Sequence, residues 1–158
     1  MPEESTTPNL VERWRETNEA FVRRERGETM SQANVERTKL FYERLNEGGM
    51  AAALALLDPN VEWWTRADNP DTVVVKGHDG LSALWADITG VLEELRMEPT
   101  EIMDAGGYVV VSVRQVARTR GVLIDQHEVH LFRWRGGRVI EGREYHEKDE
   151  ALKAIGLE

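Results

Sequence analysis

The chain has 158 residues, 41% of them hydrophobic and 31% charged, which suits one domain with a core large enough to fold unaided. Its formal net charge of -9 disfavours nucleic acid and anionic membrane as partners, since both are bound chiefly through clustered positive charge. There is no cysteine, which excludes a disulfide framework and any thiolate site, and fits a reducing cytoplasm.

Residues Met1 to Pro8 are polar and lack the basic-then-apolar order of a signal peptide, and no segment approaches the roughly 18 apolar residues of a membrane helix. A cytoplasmic protein is expected. Asn9 can cap a helix in which Leu10, Val11, Trp14, Phe21 and Val22 recur at helical spacing, with Gly27 as its stop. This amphipathic helix is expected to dock on its own domain, a lid or dimer arm being the alternative. Met30-Ser31-Gln32 reads as an internal restart, so residues 1–29 are taken as an N-terminal extension and 30–158 as the main domain.

A second helix buries Val35, Phe41, Tyr42 and Leu45 and ends at Gly48-Gly49. A short Ala/Leu-rich helix over Met50 to Leu57 is expected to break at Asp58-Pro59. Val61 to Thr65 has strand character, and a polar loop leads from it to the apolar run Val73-Val74-Val75. A third helix over about Asp79 to Leu95 buries Leu81, Leu84, Trp85, Ile88 and Leu92, with an end or a bend at Gly90, which costs about 1 kcal/mol relative to Ala.

From Arg96 the period changes to that of strands: Arg96 to Asp104, Tyr108 to Arg118, Val122 to Trp134 and Arg138 to His146, followed by a closing helix over Lys148 to Ile155. Gly136-Gly137 closes a hairpin in which, without a bulge, Trp134 faces Val139, Phe132 faces Glu141 and His130 faces Arg143. Glu128, His130, Phe132 and Trp134 then share one face, and aromatics mixed with titratable groups are what a ligand cavity wants. The alternative is a wet sheet edge. Helices first and strands afterwards indicate an α+β domain in which a curved antiparallel sheet wraps N-terminal helices.

This order of elements, with LNEGGMAAALALLDPNVEWW, GHDGLSALW and HLFRWRGGRVIEGREYHEKDEALKAIGL at its landmarks, resembles the SnoaL-like branch of the cone-shaped superfamily that also holds ketosteroid isomerase and nuclear transport factor proteins. The resemblance runs from Gln32 to Leu157 and implies a cone-shaped, cystatin-like α+β barrel, usually a homodimer, with a pocket between sheet and helices. Carried over residue by residue, the isomerase tyrosine falls at Phe41, its general base at Trp63, its protonated aspartate at His130 and a further pocket tyrosine at Trp85. Phe and Trp cannot do that chemistry, so steroid isomerisation is disfavoured, although a shift of one residue restores Tyr42 and Glu62. The Asp-Arg-Asp set of the related epoxide hydrolases is not found. In place of the polyketide cyclases' acid/base aspartate stands His130.

His130 is accordingly the leading acid/base candidate, with Glu128 on the same face to orient it or act alone. The last strand has two phasings. A plain hairpin turns Arg143 and Tyr145 toward His130, whereas a bulge signalled by Gly142 turns Glu144 and His146 inward. The candidate catalytic residues are His130, Glu128 and Glu144. The candidate ligand-binding residues are Phe41, Tyr42, Trp63, Leu84, Trp85, Phe132, Trp134, Tyr145 and His146. His127 and His130 point to opposite faces, so no metal site is expected, and no cofactor is called for. The arginines of the sheet are expected to pair with carboxylates on a solvated face. The expected protein is an acid/base isomerase, cyclase or dehydratase acting on a hydrophobic cyclic molecule. The alternative is a non-catalytic ligand-binding or dimerisation module.

Overall fold

A computed structural model of the chain describes residues 10–67 and 69–157, with side chains from Gln32 onward. The chain divides into two compact units, residues 1–32 and 33–158. Helix α1 is Leu10–Ala53, its regular course broken at Gly49 (φ 72°, ψ -168°), where the Gly48-Gly49 stop is expected. Gly27 lies inside α1 and does not end it: one interior glycine is a cost that strong helix formers on both sides can absorb. The apolar stripe from Leu10 to Val22 lies outside the described side chains.

In the second unit a 3₁₀ turn, Leu54–Leu56, leads to strand β1 (Leu57–Thr65), so Asp58-Pro59 falls in a strand and not in a break. The reason is local. Pairing of β1 is irregular between Leu57 and Glu62, and a proline without an N–H is tolerated where the ladder skips. Strand β2 is Val73–Lys76 and helix α2 is Gly77–Thr89. The third helix thus stops at Thr89 with Gly90 as its C-cap, six residues short of the Leu95 expected at the longest, and Leu95 belongs to β3 (Glu93–Asp104). Strands β4 (Tyr108–Thr119), β5 (Val122–Arg135) and β6 (Arg138–Tyr145) complete the meander, and α3 (Lys148–Ala154) starts from a capping box between Glu147 and Glu150.

The six strands form one sheet in the order β2-β1-β6-β5-β4-β3, in which β1 and β6 run parallel and every other neighbouring pair antiparallel. The α+β class expected of the sequence is what is found, with a mixed sheet. One face packs on α1 and α2 through Phe41, Leu45, Leu81, Val109, Val111, Val113, Phe132 and Val139. The other packs Val110, Val129, Leu131 and Tyr145 against Ala151 of α3. Strand β4 is apolar on both faces because it is covered on both, and each fully buried valine contributes about 1.5–3 kcal/mol.

The β5–β6 hairpin turns at Gly136 (φ 60°) and Gly137 (φ 81°), as a two-residue loop of this kind demands. Trp134 faces Val139 as expected, but the register then shifts, and Arg133 faces Glu141. Ile140 is the extra residue of a β-bulge. Beyond it Phe132 faces Gly142 and His130 faces Glu144, which overturns the plain pairings of Phe132 with Glu141 and His130 with Arg143. The bulge lies two residues before Gly142 and not at it.

Candidate functional site

Alternation along β5 puts His130 and Phe132 on the helix-covered face, and the one-residue slip at Ile140 brings Glu144 to the same face. Parallel pairing of β1 with β6 sets Trp63 opposite Gly142. The indole lies on the glycine so closely that a Cβ there would come within 2.0 Å of Trp63 Cε3 and Cζ3. That contact aims the Trp63 Nε1–H at Glu144 Oε2, 2.5 Å away.

His130 is buried and both of its ring nitrogens are engaged. Nε2 is 2.8 Å from Glu128 Oε1, so Nε2–H donates, a carboxylate being an acceptor only. Nδ1 is 2.6 Å from the Tyr42 hydroxyl of α1. Neutral imidazole accepts the phenol proton there; imidazolium donates to the phenol oxygen. Burial pushes the His130 pKa down, but the charge and hydrogen bond of Glu128 outweigh it and the net direction is up. Burial likewise pushes Glu128 up, and His130 brings it below the usual range. Burial raises the Tyr42 phenol well above 10, with help from Glu128 and Glu144. Glu144 differs from Glu128: burial raises its carboxyl, and neither the His130 charge nor the Trp63 hydrogen bond cancels this.

These groups close one end of a narrow cavity of about 40 Å³ between sheet and helices. Its walls are Phe41 and Leu45 of α1, Leu81, Leu84, Trp85 and Ile88 of α2, and Trp63 of β1, with Met50, Leu57 and Met97 filling the remainder. His130 and Glu144 are its titratable residues. On the other side of Glu144 is an open polar cleft that also includes Glu128, His127, Tyr145, Arg66 and His146. Glu144 is therefore a wall shared between oil and water.

Of the residues singled out from sequence, His130, Glu144, Phe41, Trp63, Leu84 and Trp85 line the cavity. Glu128 and Tyr42 stand behind His130 as its hydrogen-bond partners. Phe132 and Trp134 are buried beneath the wall, Phe132 in edge contact with Phe41. Tyr145 faces α3 on the opposite side of the sheet, because the bulge reverses the last strand. His146 is exposed and accepts a hydrogen bond from Arg66 Nη1 at 3.1 Å. Leu45, Leu81 and Ile88 also line the cavity without being candidates, although each lies on an apolar helical stripe, and Leu57, Met50 and Met97 join them with no signal beyond being apolar. Among the described residues no group of three or more His, Asp or Glu is arranged to hold a metal, and no helix is long and apolar enough to cross a membrane. Of the sheet arginines, Arg114 pairs with Asp125 at 2.6 Å and Arg143 with Glu141 at 2.9 Å, whereas Arg133 lies over the Tyr108 ring.

A family model described as a SnoaL-like domain matches residues 38–142. Comparison with proteins of curated function finds no match. Among solved structures, an NTF2-like protein of unknown function from Burkholderia pseudomallei is 22% identical, with 79% of this chain and 98% of that chain covered and a TM-score of 0.65. A protein with ketosteroid isomerase-like fold from Catenulispora acidiphila, in complex with trimethylamine, is 17% identical over 78% and 94%, with a TM-score of 0.62. A putative SnoaL-like polyketide cyclase from Jannaschia sp. CCS1 is 22% identical over 80% and 94%, with a TM-score of 0.63.

Proposed function

As this chain belongs to the SnoaL-like domain family, we propose that its cavity takes up a hydrophobic small molecule and moves a proton on it, as an isomerase, cyclase or dehydratase does. The observation that carries this is Glu144. Its carboxyl stands in an apolar wall, is raised by burial toward a pKa useful for acid/base work, and is oriented by the Trp63 indole at 2.5 Å. His130, given first place by the sequence, has both nitrogens bound and serves best behind the carboxylate, holding positive charge between Glu128 and Tyr42. Glu144 touches the substrate; His130 adjusts how readily Glu144 keeps its proton.

The test is turnover on a panel of hydrophobic cyclic compounds. Glu144→Gln should lower kcat by about 10²–10⁴-fold with little change in KM, the range general acid/base groups contribute. His130→Gln should shift the pH profile more than it lowers the maximum. Unchanged kcat in Glu144→Gln removes that residue from the mechanism. If tryptophan fluorescence responds to the compounds and no product forms, the protein is a binding module. That second reading is favoured by Phe41 and Trp63, which give the wall aromatic surface and no second proton-transferring group.

A further inference from the structure

Resting on the reading of the cavity as a ligand site, we propose that Trp85 is its gate and its size filter. The indole, seated on Gly49 of α1, closes the outer end, and a ring-sized ligand enters only when the indole leaves that seat. The cavity measures about 40 Å³. That is room for roughly three water molecules, whereas a dry apolar cavity that takes up benzene measures about 150 Å³. In this structure the space is shut to a cyclic molecule. Some part of the wall has to move before one can enter.

On the sheet side and on α1 the wall is held by hydrogen bonds. His130 is engaged at both ring nitrogens, Trp63 gives its N–H to Glu144, and Asn46 ties α1 to Met97 of β3 twice. Helix α2 is fixed at its start, where His78 Nε2 donates to the Leu57 carbonyl at 2.9 Å, Gly80 lies on Val75 and Leu81 is buried. Its later turns differ. Leu84, Trp85 and Ile88 line the cavity yet are half-buried, so among the described residues the apolar wall comes nearest to water at these three. Trp85 is the bulkiest of them, and it has a seat. Helix α1 breaks at Gly49 with φ 72° and ψ -168°, a conformation that glycine adopts and other residues rarely do. The bare Cα leaves a notch for the edge of the indole: a Cβ there would stand 3.2 Å from Trp85 Nε1 and 3.9 Å from Cδ1. No hydrogen bond to a described residue holds the ring in the notch, in contrast with Trp63. Rotation out of it costs dispersion contacts and some apolar burial, and removes the bulkiest α2 side chain from the space.

The experiment mixes the full chain with cyclohexanol, which has one ring, or decalol, which has two fused rings, and follows association by stopped-flow tryptophan fluorescence. Trp63 stays in the wall as reporter when Trp85 is replaced. Trp85→Ala should speed association of decalol by about tenfold or more and that of cyclohexanol by less, because binding that waits on a conformational step is slowed in proportion to the opening required. Mere loss of packing would weaken both ligands and leave the ratio of their association rates as it was. An unchanged ratio therefore overturns the gate and leaves the cavity reading intact. Binding of decalol by the variant alone counts for the gate. If near-UV circular dichroism shows that Trp85→Ala is not folded, Trp85→Leu takes its place, and the native chain supplies a check that needs no variant. Its association rate with decalol should level off as the alcohol concentration rises, and a rate that stays proportional to concentration overturns the gate. No response to either alcohol, in the native chain or the variant, overturns the cavity reading and this proposal with it.

Discussion

Gly142→Ala tests the arrangement at its tightest point. The position is buried and its φ is not positive, so glycine is needed there for space and not for backbone freedom. A methyl group would meet Trp63 Cε3 and Cζ3 at 2.0 Å, well inside contact distance, and both obstacles are atoms of a rigid ring. The indole must slide or tilt, and its Nε1–H then leaves Glu144 Oε2. Overpacking of this kind costs about 1–3 kcal/mol and a lost hydrogen bond to a charged group about 1.5–3 kcal/mol. Because one movement causes both losses they do not add fully, and about 2–4 kcal/mol is expected. Urea unfolding followed by tryptophan fluorescence measures it. The same substitution in a Trp63→Leu background should cost at least about 1 kcal/mol less, since the ring is no longer there to be struck. A Gly142→Ala protein within about 0.5 kcal/mol of the native chain would refute the reasoning. So would an equal cost in both backgrounds.

Tyr42→Phe keeps the ring that packs at 5.2 Å from Phe41 and removes the hydroxyl from buried His130 Nδ1, so a loss of about 1–3 kcal/mol is expected by urea titration. No loss would mean that the 2.6 Å contact contributes nothing. Asn46 grips Met97 of β3 by both backbone groups, at 2.8 and 2.9 Å, and Asn46→Ala should cost about 1–3 kcal/mol and speed amide exchange in β3 ahead of β5. Stability should also depend on pH in a particular way. Burial holds Glu144 above its ordinary 4.5, and His130 stays above 6.5 because Glu128 outweighs burial; both bind their protons more tightly folded than unfolded. Their contributions are complete below those ordinary values and are lost as pH rises through the folded ones. Glu128, depressed by His130 against the effect of burial, contributes above 4.5 and loses this as pH falls through its folded pKa. The urea midpoint should therefore peak near the carboxylate range and decline on the alkaline side, and Glu144→Gln should flatten the decline just above 4.5. A midpoint that rises steadily toward neutral pH contradicts the assignment.

The four long strands and the Gly136-Gly137 turn were legible because each rests on neighbours in the chain: period two and positive φ. Gly142 was legible as unusual, and a bulge was a fair reading of a glycine in mid-strand. Its physical cause was different. The glycine makes room for an indole from another strand, and the bulge sits at Ile140, where no local rule marks it. The third helix shows the same limit: apolar spacing continues through Leu92, yet the backbone leaves the helix at Gly90 so that Leu95 can enter β3.

Local chemistry thus determined which segments are helix and strand and that His130 shares a face with Phe132. Tertiary structure decided what His130 meets. Its partner Tyr42 is 88 residues away, and the Trp63 that orients Glu144 is 81 residues from it. A one-residue slip chose Glu144 over Arg143 to face the imidazole. With a side-chain period of two, such a slip exchanges the two faces of a strand, and what fixes it is packing against elements remote in the chain.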